Sequence, residues 1–319
     1  RVTGVQTCAL PISEFFPIKR GVQQGCVLSP KLFNLYTEKI FNESDELPGC
    51  VVGGENLNNL RYADDTALLA ESESALQDIV DVVRQNSEEK GLSMNVKKTK
   101  TMVVCRDETP DVRIVINGQV LEQVKKFKYL GQWITDDGRC ECEIKNRIEI
   151  ARSTFIKMRD VLISRKLHLE IRKRLVRCYV LSTFLYASES WTLDRQIEDK
   201  INAFEMWIFR RMFRISHLDR KTNLEVLEMA KAKQTLLRTI QERKLQYFGH
   251  LIRGKGKQKL LMEGKIEGTR RKGKQRRTWT SDVTGWCGSS YTKCVRMAEN
   301  RKEWSSMTAD LLIRRWHPQ

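Results

Sequence analysis

The apolar positions of the chain fall first into short alternating runs and later into helical spacing. Two apolar runs, residues 57–62 and 66–70, flank the adjacent acids Asp64 and Asp65. This pattern predicts a β-hairpin with both carboxylates at its tip. Residues 112–124 alternate around Asn117-Gly118, which predicts a second hairpin. We also predict single strands over residues 94–105 and 125–134.

Helices are predicted where apolar residues recur at intervals of three and four. The first should begin at Ser29-Pro30, with Ser29 as its N-cap. It should bury one apolar stripe: Leu32, Leu35, Tyr36 and Ile40. A second should end at Gly91 and bury another stripe: Leu76, Ile79, Val80 and Val83.

The later part of the chain is predicted to be almost entirely helical. The spacing predicts helices over residues 144–162, 171–186, 197–215 and 223–251, the last as one or two helices. Residues 253–277 lose apolar periodicity and predict a basic linker. Helical spacing then resumes around four tryptophans, Trp279, Trp286, Trp304 and Trp316. We favour core packing for them over stacking on bases, because large aromatic side chains are mostly buried.

Composition narrows the class of protein. Of 319 residues, 40% are hydrophobic and 30% charged, which is typical of globular domains and allows two or three cores. No run approaches the roughly 20 apolar residues of a membrane helix. The nine cysteines lack the spacing of a disulfide framework, so we interpret them as reduced intracellular thiols. No histidine stands at finger-like spacing from them, which argues against zinc.

The net charge of +17 is concentrated in two segments. Residues 253–277 carry eleven Lys and Arg against two Glu, a net of +9. Residues 144–177 carry eleven against three acids, a net of +8, so these segments hold the whole excess. Such concentration predicts binding to a polyanion with strong salt dependence. Two solvated basic faces without a partner are the alternative.

The adjacent acids need a physical reason, because neighbouring carboxylates repel each other. Carboxylate oxygens are ligands that Mg²⁺ prefers. Two such ions about 4 Å apart can hold the attacking and leaving oxygens of a phosphoryl transfer. Aspartate is also common in solvated turns, so the pair alone leaves both interpretations open.

Further stretches accompany the acid pair in a fixed order. Residues 21–30 (Gly-Val-Gln-Gln-Gly-Cys-Val-Leu-Ser-Pro) precede it, and residues 91–100 (Gly-Leu-Ser-Met-Asn-Val-Lys-Lys-Thr-Lys) follow it. Residues 127–131 (Phe-Lys-Tyr-Leu-Gly) and a basic helical tail come next. Together with Tyr62-Ala63-Asp64-Asp65, this set resembles the palm motifs of a reverse transcriptase. The resemblance is specifically to the LINE type, the non-LTR retrotransposons, and it extends from about Phe15 to the last tryptophan.

This resemblance implies roles for individual residues. Asp64 and Asp65 would bind two Mg²⁺ ions, with Mn²⁺ as a substitute, and Lys98 would protonate the leaving pyrophosphate. A solvent-facing lysine is the alternative for Lys98. Template and nucleotide contacts would come from Gln24, Gly25, Ser29, Tyr62 and Ala63. The primer grip would consist of Tyr129, Leu130 and Gly131. Contacts with the nucleic-acid backbone would come from Lys255, Lys257, Arg270, Arg271, Arg276 and Arg277.

The implied activity is that of an RNA-directed DNA polymerase. Its partners would be an RNA template, a DNA primer and deoxynucleoside triphosphates, with no membrane and no specified protein partner. Such elements copy into chromosomal DNA, so we expect nuclear residence after cytoplasmic synthesis, and no secretion. The alternatives are a nucleic-acid-binding remnant without catalysis and a group II intron maturase-like protein. The tail, with its basic linker and spaced tryptophans, favours the LINE type.

The N-terminal residues do not fit this scheme. Residues 2–12 read as a translated sequencing adapter, so we interpret residues 1–13 as a non-native scar. The resemblance implies a further metal-binding aspartate upstream of the Gln24-Gly25 turn, and no acid of this chain before that turn fits that role, since Glu14 lies at the junction with the scar. We therefore predict an N-terminally truncated fragment that does not polymerise alone.

The expected fold is α+β. A partial polymerase palm of antiparallel sheet and helices, residues 14–134, would precede an all-helical thumb-like domain, residues 135–218. A helical connector would cover residues 219–252 and the basic linker residues 253–278. A C-terminal helical segment would cover residues 279–319.

Overall fold

The computed structural model describes residues 21, 26–105, 109–232, 235–264 and 276–314. In this part of the chain, short strands and two long helices come first, and helices follow almost exclusively. The predicted α+β fold, with a helical C-terminal region, is confirmed.

The strands of the described residues are short and pair two by two. In chain order they are β1 Cys50–Val52, β2 Glu55–Leu57, β3 Asn59–Tyr62, β4 Asp65–Leu68, β5 Lys100–Thr101, β6 Val115–Ile116, β7 Gln119–Val120, β8 Glu122–Gln123, β9 Lys126–Tyr129 and β10 Gln132–Thr135. Antiparallel hairpins join β1 to β2, β3 to β4, β6 to β7 and β9 to β10. Strands β5 and β8 pair in parallel.

The helices lie mostly in the second part of the chain. They are α1 Ser29–Phe41, α2 Glu73–Glu89, α3 Glu141–Lys157, α4 Arg159–Leu162, α5 Leu169–Leu175, α6 Ser182–Phe184, α7 Arg195–Phe213, α8 Asn223–Met229, α9 Leu236–Arg253, α10 Lys257–Glu263, α11 Trp279–Cys287, α12 Tyr291–Glu299 and α13 Arg301–Arg314. A π-helical segment, Val176–Leu181, joins α5 to α6.

Helix α2 carries two small cores of the strand-rich part. It begins at Ser72, whose Oγ accepts a hydrogen bond from the Ala75 N–H, and this cap satisfies one of its free backbone donors. Two buried clusters lie on its faces: Ile40, Phe41, Ile79 and Val83 form one, and Val80, Ile114, Ile116 and Leu121 form the other. The predicted stripe of α2 is therefore confirmed for these positions.

Helix α1 differs from its prediction. Leu28, not Ser29, is its N-cap. Leu32, Leu35 and Tyr36 are 52%, 69% and 46% exposed, and only Ile40 of the predicted stripe is buried. The apolar spacing identified a face that could be buried, but the described residues place no apolar element over its first two turns.

The strand predicted over residues 94–105 is mostly wrong. Asn95 Oδ1 accepts from the Lys98 N–H, and Asn95 O accepts from both the N–H and the Oγ1 of Thr99. Asn side chains compete in this way with regular secondary structure. The result is a turn, and only Lys100–Thr101 joins a ladder.

The single strand predicted over residues 125–134 is also wrong, because the chain folds back on itself there. Leu130 and Gly131, with φ angles of +46° and +82°, form the two-residue turn of the β9–β10 hairpin. By contrast, the Asn117-Gly118 hairpin is confirmed, with φ angles of +50° and +75°. An Asn-Gly pair in the sequence predicts such a turn, because both residues readily adopt positive φ. Leucine rarely adopts positive φ, so Leu130-Gly131 gave no such signal.

One hydrophobic core runs through the helical part. Its buried members extend from Ile144 on α3, through α7 and α9, to Trp304 on α13. Core packing is confirmed for Trp286 and Trp304, which are 6% and 3% exposed, and Trp279 is half-buried. Trp316 lies outside the described residues. The core crosses the predicted domain boundaries, which stay predictions.

A buried ion pair ties α9 to α11. The Lys244 Nζ lies 2.5 Å from Asp282 Oδ2, and neither side chain is exposed. Asp282 also accepts from the Leu193 N–H and from Arg277 Nε, while Lys244 donates to the Trp191 carbonyl. These bonds satisfy groups whose burial would otherwise be costly.

The predicted basic linker contains a helix. Residues 257–263 form α10, and residues 265–275 lie outside the described part. In the described ranges, no helix combines the length and apolarity that crossing a bilayer would require.

Candidate active site and nucleic-acid interface

The acid pair lies at the tip of the β3–β4 hairpin, as predicted. Tyr62 pairs with Asp65 as the last register position, so Ala63 and Asp64 form the turn. Ala63 has a φ of +53°, a conformation that costs a residue with a Cβ roughly 1–2 kcal/mol. All four residues are exposed, which leaves both carboxylates open to solvent and to a ligand.

The base of this hairpin is held by asparagines. Asn58 is buried and donates to the Ser44 and Leu47 carbonyls, and Asn59 Nδ2 donates to Asp45 Oδ1 at 2.8 Å. On the same strand, the Arg61 guanidinium stacks 4.8 Å from the Phe41 ring centre and lies 3.8 Å from Glu38. The hairpin is thus fixed at its base while its tip projects freely.

Asp64 and Asp65 have donor chemistry that suits Mg²⁺, but the described residues alone do not form a complete metal site. The carboxylate oxygens of the pair match the preference of hard divalent cations. Within the described ranges, no three His, Cys, Asp or Glu side chains come together in a metal-binding group. Asp64 and Asp65 therefore need at least one further protein ligand for a two-ion centre.

The predicted primer grip lies beside the acid pair. Tyr129, on β9, donates from its hydroxyl to the Leu60 carbonyl on β3 at 3.4 Å. Burial raises the pKa of the Tyr129 hydroxyl, and the negative charge of Asp65 raises that pKa further. The β9–β10 hairpin and the β3–β4 hairpin are therefore neighbours, although they belong to separate two-stranded sheets.

A polar cluster, which we call the α3 lock, fixes the turn of the β9–β10 hairpin. It consists of Glu143, Arg147 and Tyr186. Glu143 Oε2 accepts from the Trp133 N–H at 2.8 Å, and Glu143 Oε1 lies 2.5 Å from Arg147 Nε. Arg147 Nη2 donates to the Gly131 carbonyl.

Tyr186 completes the α3 lock from the other side. Its hydroxyl donates to the Leu130 carbonyl at 2.9 Å, and the Arg147 guanidinium stacks 4.4 Å from its ring centre. Both backbone carbonyls of the turn are thereby bound by side chains of the helical part. The lock joins the strand-rich part to the helices at the predicted primer grip.

The other predicted site residues are dispersed or lie outside the described part. Ser29 is buried at the start of α1, and Lys98 is an exposed turn residue without an ion pair to a described carboxylate. Gln24 and Gly25 lie outside the described residues. The roles assigned to these residues stay predictions.

The predicted backbone contacts divide in the same way. Lys255 and Lys257 are exposed near the start of α10. Arg276 donates to the Asp137 carbonyl at 3.3 Å, and Arg277 pairs with the buried Asp282. Arg270 and Arg271 lie outside the described residues. Arg277 thus has a structural role that its position in a basic run did not indicate.

Sequence reasoning missed the α3 lock and the asparagine anchors. Glu143 and Arg147 are four residues apart on a helix, a spacing that usually indicates an exposed pair. The polar positions 58 and 59 inside an apolar strand pattern were the available signal for the anchors. Their meaning depends on partners that are distant in sequence.

Comparisons with known proteins show which sequences this chain is similar to. Residues 7–134 match the family described as reverse transcriptase (RNA-dependent DNA polymerase). The chain is 28% identical over 273 residues to a putative uncharacterized transposon-derived protein of Caenorhabditis elegans, covering 79% of the chain and 95% of that protein.

Two relatives carry more specific names. Identity is 30% over 145 residues to the Pol polyprotein of a type-1 retrotransposable element R2 of Nasonia vitripennis, covering 42% of the chain and 14% of that protein. It is 25% over 203 residues to the RNA-directed DNA polymerase of the mobile element jockey of Drosophila funebris, covering 61% and 22%. The chain spans less than a quarter of the length of either polymerase. The predicted resemblance to non-LTR reverse transcriptases is confirmed.

Proposed function

We propose that this chain, whose residues 7–134 match the reverse transcriptase family, is the palm-and-thumb portion of an RNA-directed DNA polymerase of a non-LTR retrotransposon. The observation that carries the proposal is the acid pair at the tip of a hairpin, directly beside the hairpin of the predicted primer grip. A primer end held by the second hairpin would lie next to carboxylates presented by the first.

In the intact polymerase, Asp64 and Asp65 would supply carboxylate oxygens to the metal centre. Bound divalent ions neutralise charge on the reacting phosphate and align its oxygens. The residues of this chain would do the positioning: Tyr129, Leu130 and Gly131 would hold the primer backbone, and the α3 lock would keep that turn in place. Accurate placement of reacting groups is a major source of rate acceleration.

The partners and the location follow from the same proposal. The template would be RNA, the primer DNA, and the substrates deoxynucleoside triphosphates, with Mg²⁺ or Mn²⁺ as the ion. The protein would act in the nucleus. With two carboxylates and no third described acid beside them, this chain would bind ions weakly and would not polymerise alone.

Primer extension tests the proposal. The chain as given should yield no product on an RNA template, and a protein extended upstream to supply a further carboxylate should yield product with Mg²⁺. Asp64→Asn and Asp65→Asn in the extended protein should reduce synthesis to background, while Glu71→Gln, a nearby acid outside the tip, should not. Full activity of Asp64→Asn would contradict the metal assignment.

A nucleic-acid-binding remnant without catalysis is the second candidate, and the charge distribution favours it for the chain as given. Its test is fluorescence anisotropy with a labelled RNA–DNA hybrid. Lys255→Gln/Lys257→Gln should weaken binding and flatten the salt dependence. We leave Arg277 unchanged in this test, because its bond to Asp282 would confound affinity with stability.

A further inference from the structure

A cavity lined by arginines opens between α4 and the C-terminal end of α7. It has a volume of about 640 Å³, and a second cavity of about 410 Å³ adjoins it and shares Ile163 and Arg214. The cations of the two cavities are Arg159, Arg165, Lys166, Arg210, Arg211 and Arg214. We call this surface the arginine groove.

The positive charge of the arginine groove is almost uncompensated. Among the described residues that line it, Asp160 is the one acid, so the net charge is +5. None of the six cations forms an ion pair with a described carboxylate, whereas cations elsewhere on α3 and α7 do: Arg147, Lys145 and Arg152 of α3 and Lys200 of α7. The charges of these six side chains are therefore not neutralised by a described carboxylate.

An indole ring holds part of this charge in place. The Arg211 guanidinium lies 5.0 Å from the ring centre of Trp207, which also lines the groove. Trp207 packs edge-on against Phe155 at 5.2 Å and in parallel with Phe204 at 6.2 Å. The Trp207 ring orients the Arg211 guanidinium without using its N–H donors. Arg211 can therefore still donate two hydrogen bonds to one anion.

Two more guanidinium groups, those of Arg214 and Arg210, line the groove at the end of α7. Arg214 ends α7 at a φ of +57°, and its side chain lines both cavities. Arg210 Nη2 donates to the Lys221 carbonyl and to Asn223 Oδ1, which fixes its orientation. The C-terminal end of α7 contributes only about half a negative charge, which a net charge of +5 outweighs.

The chemistry of the groove fits a particular kind of polyanion. Guanidinium groups recognise phosphate oxygens in bidentate fashion. Positively charged grooves that follow the backbone of a single nucleic-acid strand also use guanidinium–aromatic contacts of this kind. A carboxylate-rich peptide would fit the charge but would not use a run of arginines spaced along one groove as well.

The arginine groove lies at the opposite end of α3 from the β9–β10 hairpin. Helix α3 contacts the β9–β10 turn through Glu143 near its first turn, and the groove begins at Arg159 just beyond its last. From Glu143 to Lys157, a rise of 1.5 Å per residue gives a separation of about 21 Å.

We propose that the arginine groove is a second nucleic-acid site, which binds the phosphates of a single strand away from the polymerase centre. The choice of ligand rests on the proposed function, whereas the geometry of the site does not. A strand bound in the arginine groove would stay attached to the protein while the nucleic-acid end beside Asp64 and Asp65 is extended.

The test is binding of a labelled single-stranded RNA, without divalent ions, to the chain as given. Arg159→Gln/Arg211→Gln/Arg214→Gln should weaken binding on the order of ten- to a hundredfold and reduce the salt slope by about 2, the loss of three phosphate contacts. The matched control is Lys293→Gln/Arg301→Gln/Lys302→Gln, which removes three exposed cations of α12 and α13. Equal losses in both variants would overturn the proposal.

Two further measurements keep the test decisive. Hydrogen exchange of the unaltered chain should slow in residues 159–166 and 210–216 when RNA is added, and unchanged exchange there would overturn the site even if the triple variant does not fold. An RNA–DNA hybrid, or polyglutamate, that depends on the groove as strongly as single-stranded RNA would overturn the choice of ligand. Because no metal is present, failed polymerisation by the extended protein would leave these results intact.

Discussion

The α3 lock should contribute far more to stability than its sequence spacing indicates. The side chains of Arg147 and Glu143 are 10% and 3% exposed, so the pair is almost fully removed from water. Arg147→Met keeps most of the aliphatic stem but leaves the Glu143 carboxylate buried with the Trp133 N–H as its remaining partner in the cluster. Removing one partner of a buried pair costs about 3–5 kcal/mol.

A double-mutant cycle separates the ion pair from general packing. Glu143→Gln should also destabilise the chain, because it leaves the buried Arg147 charge with the Gly131 carbonyl and the Tyr186 ring but without its described carboxylate partner. The double variant leaves neither charge, so its loss should be smaller than the sum of the single losses by about 2 kcal/mol. The free energy of unfolding is measured by urea titration with circular dichroism.

A matched control lies on the same helix. Lys145 and Glu141 have the same four-residue spacing as Arg147 and Glu143, but their side chains are 60% and 38% exposed. Lys145→Met should therefore cost less than about 1 kcal/mol. Exchange of the Trp133 amide should accelerate in Arg147→Met and not in Lys145→Met. A loss in Arg147→Met no larger than that in the control would refute the reasoning.

Three other predictions concern the helical part. Burial raises the pKa of Glu205 from 4.5 to about 7, and the hydrogen bond from the Leu236 N–H opposes this shift. The native state therefore binds the Glu205 proton more tightly than the unfolded state does. About 3 kcal/mol of stability should be lost as the pH rises from 4.5 to 7. Glu205→Gln should remove this dependence, and urea titrations at pH 4.5 and 8 would contradict it if both proteins changed in parallel. A Cβ on Gly249 would lie 2.6 Å from Trp304 Cδ1, so Gly249→Ala should destabilise the chain by about 1–3 kcal/mol. A Cβ on Gly285 in α11 would meet open space, so Gly285→Ala should stabilise the chain by about 0.5–1 kcal/mol. Thermal unfolding measures both changes in stability, and changes of the same sign would contradict the packing at Gly249. Asp282→Asn should lower the free energy of unfolding by about 3–5 kcal/mol, because it leaves Lys244 buried without a counter-charge. Asp282→Asn/Lys244→Met should recover part of that loss. A double variant less stable than both single variants would contradict this prediction.

The sequence by itself determined the features that depend on neighbouring residues. The Asp64-Asp65 hairpin, the Asn117-Gly118 hairpin and the helix of Leu76 to Val83 follow from local periodicity and turn chemistry, and each is confirmed. The family resemblance likewise followed from short ordered motifs. Such signals survive without a tertiary structure because a turn or an apolar stripe is encoded within a few residues.

Only the tertiary structure decided which groups meet across the chain. The exposed stripe of α1, the turn at Asn95 and the hairpin at Leu130 all depart from expectations that periodicity supported. In each case, a hydrogen bond or a missing packing surface outweighed the local preference, because propensities are worth less than tertiary contacts.

The same distinction separates the acid pair from the surroundings that position it. A carboxylate pair is visible in the sequence, but nothing local shows that Arg147 would reach Gly131, or that Trp207 would carry Arg211 at the edge of a groove. Those contacts join residues far apart in sequence, and their energy depends on burial that only the folded chain provides.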